Sequence, residues 1–180
     1  MSRFLTKLMQ TGQFTFEEGH IRMLGEYVLL FPSGVVVHMY DVLLKKLGRK
    51  KTGKLLEEMG RYQVEAAAKR YLKRYNFSEL SKSKIMDFTT KILNSTGWGM
   101  IEVSRMSMKN RSAQVIVRES TLPTKWLMLH KNNSKKPIDF WLKGLIKEHF
   151  TVIFGSKVKV VESKCIACGD KYCAFDVSKA

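Results

Sequence analysis

The chain has 180 residues, 44% of them hydrophobic and 11% aromatic, with three prolines. That composition excludes a disordered, collagen-like or linker-dominated chain, and the length suits one domain that buries its core without disulfide staples. The charge is lopsided, 32 Lys and Arg against 16 Asp and Glu for a formal +16, so a polyanionic partner must be weighed: nucleic acid, an anionic membrane surface or an acidic protein.

In chain order, Phe4, Leu5, Leu8 and Met9 give the first segment one apolar helical face, and Thr11-Gly12 breaks it. Residues 1–20 are expected to form a helical extension ahead of a domain spanning 21–180. The opening residues lack the apolar core and cleavage site of a signal peptide, and no run approaches the roughly 20 apolar residues of a membrane span. A cytoplasmic location is expected. The β-branched and aromatic content of 21–31 predicts a strand, Pro32-Ser33-Gly34 a turn, and 35–47 a helix that Gly48 ends. Further helices are predicted over about 51–75 and 78–95.

After Thr96-Gly97-Trp98-Gly99, segments 100–108 and 113–119 joined by Lys109-Asn110-Arg111 read as a hairpin. Pro123 is expected to end the second strand. A polar stretch, 131–137, leads into a helix from about Ile138 to Phe154 that places Trp141, Leu142, Leu145, Ile146, His149 and Ile153 on neighbouring turns. Strands over 157–162 and 172–177 close the chain. Strands that come in pairs rather than alternating with helices predict an α+β fold, an antiparallel twisted sheet packed against helices.

All three cysteines, Cys165, Cys168 and Cys173, lie within nine residues, which excludes a disulfide framework and points to a metal site, redox chemistry or a reduced compartment. In the incoming strand Val158, Val160 and Glu162 share parity, and in the outgoing strand Cys173, Phe175 and Val177 do. A carboxylate and a thiol therefore face the apolar side across a hairpin whose turn is Gly169-Asp170, and a buried carboxylate needs a cation. Zinc, which takes thiolate and carboxylate ligands, meets that need. The alternative is a set of reduced structural cysteines with Glu162 in solvent.

The segment from Glu162 to Phe175, ESKCIACGDKYCAF, closely resembles the C-terminal signature of 4-vinyl reductase (4VR) domains, in which Glu, Cys and a second Cys are separated by two and then seven residues. Gly25 to Gly34 (GEYVLLFPSG), the helix end at Leu47-Gly48, and Glu58-Met59-Gly60-Arg61 resemble earlier segments of that domain. The resemblance implies a mixed α/β domain related to ligand-binding domains of bacterial phenol-sensing regulators and to subunits of vesicle-tethering complexes. It also implies a small hydrophobic ligand held beneath the helices, and a homodimer. In zinc-bearing sensors of this kind the metal is held by the signature Glu and two Cys, here Glu162, Cys165 and Cys173, plus a Cys at the start of the preceding helix. That fourth position falls near Asp139, a carboxylate. Asp139 serves as the fourth ligand, or stabilises the helix start and pairs with Lys143, leaving Cys168 to complete the set. A site with four protein ligands is structural, so zinc here would staple the last hairpin to the preceding helix.

For the ligand pocket the candidates are Trp98, Trp126, Trp141, Phe88 and His149, aromatic walls with one polar group; each is equally readable as packed core. No nucleophile–base pair, phosphate loop or dinucleotide fingerprint is visible, so no enzymatic activity is expected, reductase activity included. Eleven basic residues against three acidic ones lie between Lys45 and Arg74. Lys45, Lys46, Arg49, Lys50, Lys51 and Lys54 cluster at one turn, and Lys69, Arg70, Lys73 and Arg74 form a second group. Two readings of function follow. One is a sensory or regulatory domain that binds a small hydrophobic ligand and carries a structural zinc. The other is a non-catalytic basic protein that contacts nucleic acid, or an acidic protein, without sequence specificity.

Overall fold

The most apolar helix decides the architecture. In the computed structural model, which describes residues 3–75 and 79–180 with the side chains of 71–75 excepted, Leu142, Gly144, Leu145, Ile146, His149, Phe150, Ile153 and Phe154 of the helix Phe140–Phe154 are all buried. A helix buried on so much of its circumference must be covered on two sides. A four-stranded sheet covers one side and a long helix the other.

The elements in order are α1 (Arg3–Gln10), β1 (Phe14–Glu17), β2 (His20–Met23), β3 (Glu26–Tyr27), α2 (Ser33–Tyr75), α3 (Lys82–Ser95), β4 (Met100–Ser107), β5 (Ser112–Arg118), α4 (Thr121–His130), α5 (Phe140–Phe154), β6 (Val158–Lys164), a 3-10 turn (Ile166–Cys168) and β7 (Cys173–Lys179). β1 to β3 form a small meander; the main sheet has the order β4-β5-β7-β6, antiparallel throughout. This is the expected α+β arrangement.

Alternation builds the main sheet. Ala113, Val115 and Val117 of β5, Cys173, Phe175 and Val177 of β7, and Val158 and Val160 of β6 are buried and join α5 in one core cluster. On the far side, α2 crosses α5 at two glycines. A Cβ on Gly60 would stand 2.1 Å from Trp141 O, and one on Gly144 2.1 Å from Glu57 O. Backbone meets backbone there, and the crossing is flanked by the ion pairs Lys143–Glu57 at 2.6 Å and Arg61–Glu148 at 3.0 Å.

Several expectations need correction. Segment 21–31 is not one strand: β2 and β3 are separated by Leu24 and Gly25, both with positive φ, and 28–31 has no regular structure. Because β1 pairs with β2 from Phe14↔Met23 to Glu17↔His20, the expected boundary at residue 20 falls inside a hairpin. Gly48 kinks α2, with φ 69° and ψ 164°, rather than separating two helices by a loop. The third helix starts at Lys82, capped by Ser81 accepting from Lys84 N–H; its expected start at Ser78 lies outside the described residues. Pro123 does not simply end a strand. It occupies the first turn of α4, where its missing N–H costs no helical hydrogen bond.

Candidate metal centre

The final hairpin and the start of α5 converge on one point. The register pairs Glu162 with Phe175 and Val160 with Val177, which keeps Glu162 on the core side as its parity predicts. A register shift between Glu162 and Lys164 then carries the chain into Cys165. The loop is held from within: Cys165 N–H donates to Asp170 Oδ2 at 2.8 Å, Cys168 N–H to Cys165 O at 2.8 Å, and Ile166 N–H to Cys173 Sγ at 3.3 Å. Gly169 turns the chain at φ 97°, against the Asn133 side chain, where a Cβ would meet Nδ2 at 2.7 Å.

The result is a buried donor set. One ligand atom each from Glu162, Cys165 and Cys173 lies within 4.8 Å of the others, and both cysteines are fully buried. Donors bound to one zinc at 2.0–2.3 Å sit no more than about 4.6 Å apart, so the three need move only by tenths of an ångström. Asp139 arrives from the other side. It is the N-cap of α5 but makes no side-chain capping bond. Its N–H donates to Glu162 Oε2 at 3.1 Å, and its Oδ2 accepts from buried Ser120 Oγ at 2.9 Å. Lys143, the alternative partner for Asp139, is taken by Glu57. Asp139 Oδ1 and Cys168 Sγ lie outside the three-atom group.

Electrostatically this cluster is incomplete. Asp139 Oδ1 and Glu162 Oε1 are buried with no hydrogen-bond partner, and among the described residues no ion pair reaches either carboxylate. Burial, reinforced for Glu162 by Asp139 and Cys165, pushes both carboxyls well above the carboxylate range. The hydrogen bond from Cys173, helped by Glu162 and by the Ile138 and Ala167 amides, pulls the Cys165 thiol down, while the same Cys165 contact and burial push Cys173 up. Cys168, only half-buried, is raised chiefly by desolvation. Like-charged acids crowded in a dry site disfavour their own ionisation. A divalent cation reverses that penalty for all of them, and thiolates with carboxylate oxygen form a donor set that suits zinc.

The five pocket candidates separate. Trp98, Trp126 and Trp141 are half-buried and pack against both the sheet–α5 cluster and a second cluster of Val37, Tyr40, Leu56 and Leu122. Trp98 and Trp141 are 5.7 Å apart, Trp141 Nε1 donates to Gln63 Oε1 at 3.1 Å, and Trp141 N–H donates to Tyr40 OH at 3.3 Å. Those contacts make a seam between two cores with polar groups along it. His149 lies elsewhere, against Thr89 Oγ1 at 3.2 Å and Met86 Sδ at 3.1 Å, and desolvation lowers its pKa to about 4. Phe88 packs edge-on to Phe4 in a third cluster beneath α1. None of the five lines either of two surface grooves, one beside Arg105 and Gln114 and one beside His20 and Leu29.

Of the basic cluster, Lys45, Lys46, Lys50, Lys51 and Lys54 are exposed. Arg49 instead donates to Pro137 O and stacks over Phe140 at 4.9 Å. In the second group Arg70 pairs with Glu26 at 2.6 Å, and the side chains of Lys73 and Arg74 lie outside the described residues. Ser120, Tyr40 and Asp170 are supporting residues that the sequence pattern alone does not single out. A polar residue flanked by apolar ones, as Tyr40 is by Val37 and Leu43, is the available signal for one of them.

Comparison with known proteins agrees with the signature. The model of the vinyl-4-reductase (4VR) domain matches residues 127–179, the segment holding Asp139, Glu162 and all three cysteines. Among solved structures, the phenol-responsive sensory domain of the transcription activator PoxR, determined with phenol, superposes at a TM-score of 0.81. The two are 14% identical, over 99% of this chain and 92% of that one. A trafficking protein particle complex subunit 3 from Naegleria fowleri, covalently bound to palmitic acid, gives 0.56 at 13% identity, covering 81% and 93%. A vinyl-4-reductase family protein from Methanocaldococcus jannaschii gives 0.54 at 15%, covering 85% and 84%. At these identities the likeness is one of fold. No curated protein matches the sequence.

Proposed function

We propose that this chain is a sensory or regulatory domain that binds a small hydrophobic molecule and whose C-terminal hairpin is stapled to α5 by zinc. The observation that carries the ligand half is the extent of the fold match: nearly the whole chain follows a domain solved with phenol. The seam formed by Trp98, Trp126 and Trp141, with Tyr40 OH and Gln63 as polar groups, supports it, being apolar with a few fixed polar atoms.

For the metal half, Glu162, Cys165 and Cys173 are three ligands, and Asp139 is the fourth. Asp139 is 1% exposed with an orphaned oxygen beside a site that already contains three donors, whereas Cys168 is half-buried. When bound with four protein ligands, zinc supplies charge neutralisation and a crosslink, with no open position for a reacting water. Ser120 orients Asp139, and Asp170 holds the loop in the conformation that presents Cys165. The homodimer implied by the resemblance belongs to the same proposal and is read by light scattering. Among the described residues no helix is long and apolar enough to cross a membrane; the cytoplasmic location also stays a proposal.

Tryptophan fluorescence tests the ligand half, because the three tryptophans of the chain are the three at the seam. Titration with phenol and longer alkylphenols is expected to give a saturable change, weakened in Trp126→Leu, with a rise in melting temperature. No saturable change and no thermal shift across a panel of phenols and fatty acids would overturn it.

A further inference from the structure

The charge excess remains, and it is laid out in space in a way that counting along α2 does not reveal. The polar stretch after α4 runs alongside α2 and is fixed to it at both ends. At its start His130 Nε2 meets Asp41 Oδ1 at 3.0 Å, and at its end Arg49 holds Pro137 O. In the middle, Ser134 N–H donates to Ala167 O of the cysteine loop at 2.6 Å. Exposed Lys131, Lys135 and Lys136 are thereby held beside exposed Lys45, Lys46, Lys50, Lys51 and Lys54.

None of these eight lysines takes part in an ion pair among the described residues, and the nearby carboxylates are engaged: Asp41 by His130 and Glu57 by Lys143. We infer that the α2 kink and the 131–136 loop form a two-walled basic track that docks the phosphodiester backbone of double-stranded nucleic acid. The stretch from Lys45 to Lys54 extends about 13 Å along the helix, the reach of about four successive phosphates of one strand. No aromatic residue interrupts it in the sequence KKLGRKKTGK, so there is no platform for stacking bases. A track of cations without stacking rings favours a duplex over a single strand and reads no sequence. The kink keeps both walls in place, because Arg49 faces the loop and leaves its lysine neighbours turned to solvent.

The test is fluorescence anisotropy of the full chain with a labelled duplex of about 20 base pairs across a salt series. Binding is expected to be independent of sequence, with log K falling linearly against log salt. Lys50→Gln/Lys51→Gln/Lys54→Gln lowers that slope by about three, as does Lys131→Gln/Lys135→Gln/Lys136→Gln. Lys82→Gln/Lys109→Gln/Lys159→Gln, which removes the same charge from exposed sites elsewhere, leaves the slope unchanged. Equal losses in all three sets mean that net charge alone binds, and overturn the track. A silent loop set, tighter binding to phosphatidylserine vesicles than to the duplex, or no binding at about 50 mM salt overturns it as well. Because every substituted side chain is exposed, circular dichroism is expected to remain that of the parent chain.

Discussion

Two regions of this molecule hold charge without a partner, and they differ in what that demands. The Glu162–Cys165–Cys173 site with Asp139 collects acids in a dry interior, whereas the lysines of the α2 kink and the 131–136 loop stand in water. Burying an ionisable group unpaired costs several kcal/mol, so the first arrangement persists only if its acids stay protonated or bind a cation. Solvated lysines cost little, and their alignment matters only when a partner arrives. Stability should therefore depend on the first region and hardly at all on the second, while salt-sensitive binding should show the opposite dependence.

The largest expected effect is at the metal site. Chelation, or Cys173→Ala, is expected to cost on the order of 5 kcal/mol or more, read by denaturant unfolding with and without zinc. A chelated protein as stable as the untreated one would break the comparison. Next comes the α2–α5 crossing that aims Asp139 at the site. Gly144→Ala places a methyl against Glu57 backbone atoms, and is expected to cost about 3 kcal/mol by overpacking, with zinc affinity weakened as α5 shifts. A neutral result would show that the helices separate without strain.

His149 sharpens the contrast through pH. Its folded pKa is depressed to about 4, so between that value and about 6.5 the unfolded chain binds the extra proton. The stabilisation is complete above about pH 6.5 and is lost as pH falls towards 4. Going from about pH 7 to about pH 5 should cost about 2 kcal/mol, a component absent from His149→Leu when the two pH profiles are subtracted. Cys168→Ser, at the half-buried thiol, is expected to change stability by under about 1 kcal/mol and to retain zinc, whereas Asp139→Asn loses it. The smallest effect belongs to the lysines: the triple Gln variants stay within about 0.5 kcal/mol of the parent.

Where periodicity is strong, the fold is legible. Alternating Ala113, Val115 and Val117 mark the buried face of β5, and the parity of Val158, Val160 and Glu162 turns that carboxylate inward. Helix α4 is not legible because Pro123 reads as a terminator, although a first-turn proline favours a helix start as readily. The short strands β1 to β3 are blurred by Leu24 and Gly25, whose positive φ converts an apparently continuous β-rich run into two pieces. At the metal site, three donors follow from one local signature. The place of Asp139 depends on Ser120 and on a helix aimed by Gly60 and Gly144, contacts that no local spacing encodes. The loop lysines escape a count of charge along one helix, because it is Arg49 that joins two segments 88 residues apart.

Metal content of the purified chain is the most direct test of the buried site. Protein expressed with added zinc and purified without chelators should carry one zinc per chain, and Asp139→Asn should carry markedly less. A stoichiometry near zero in the parent protein would contradict the zinc-stapled core.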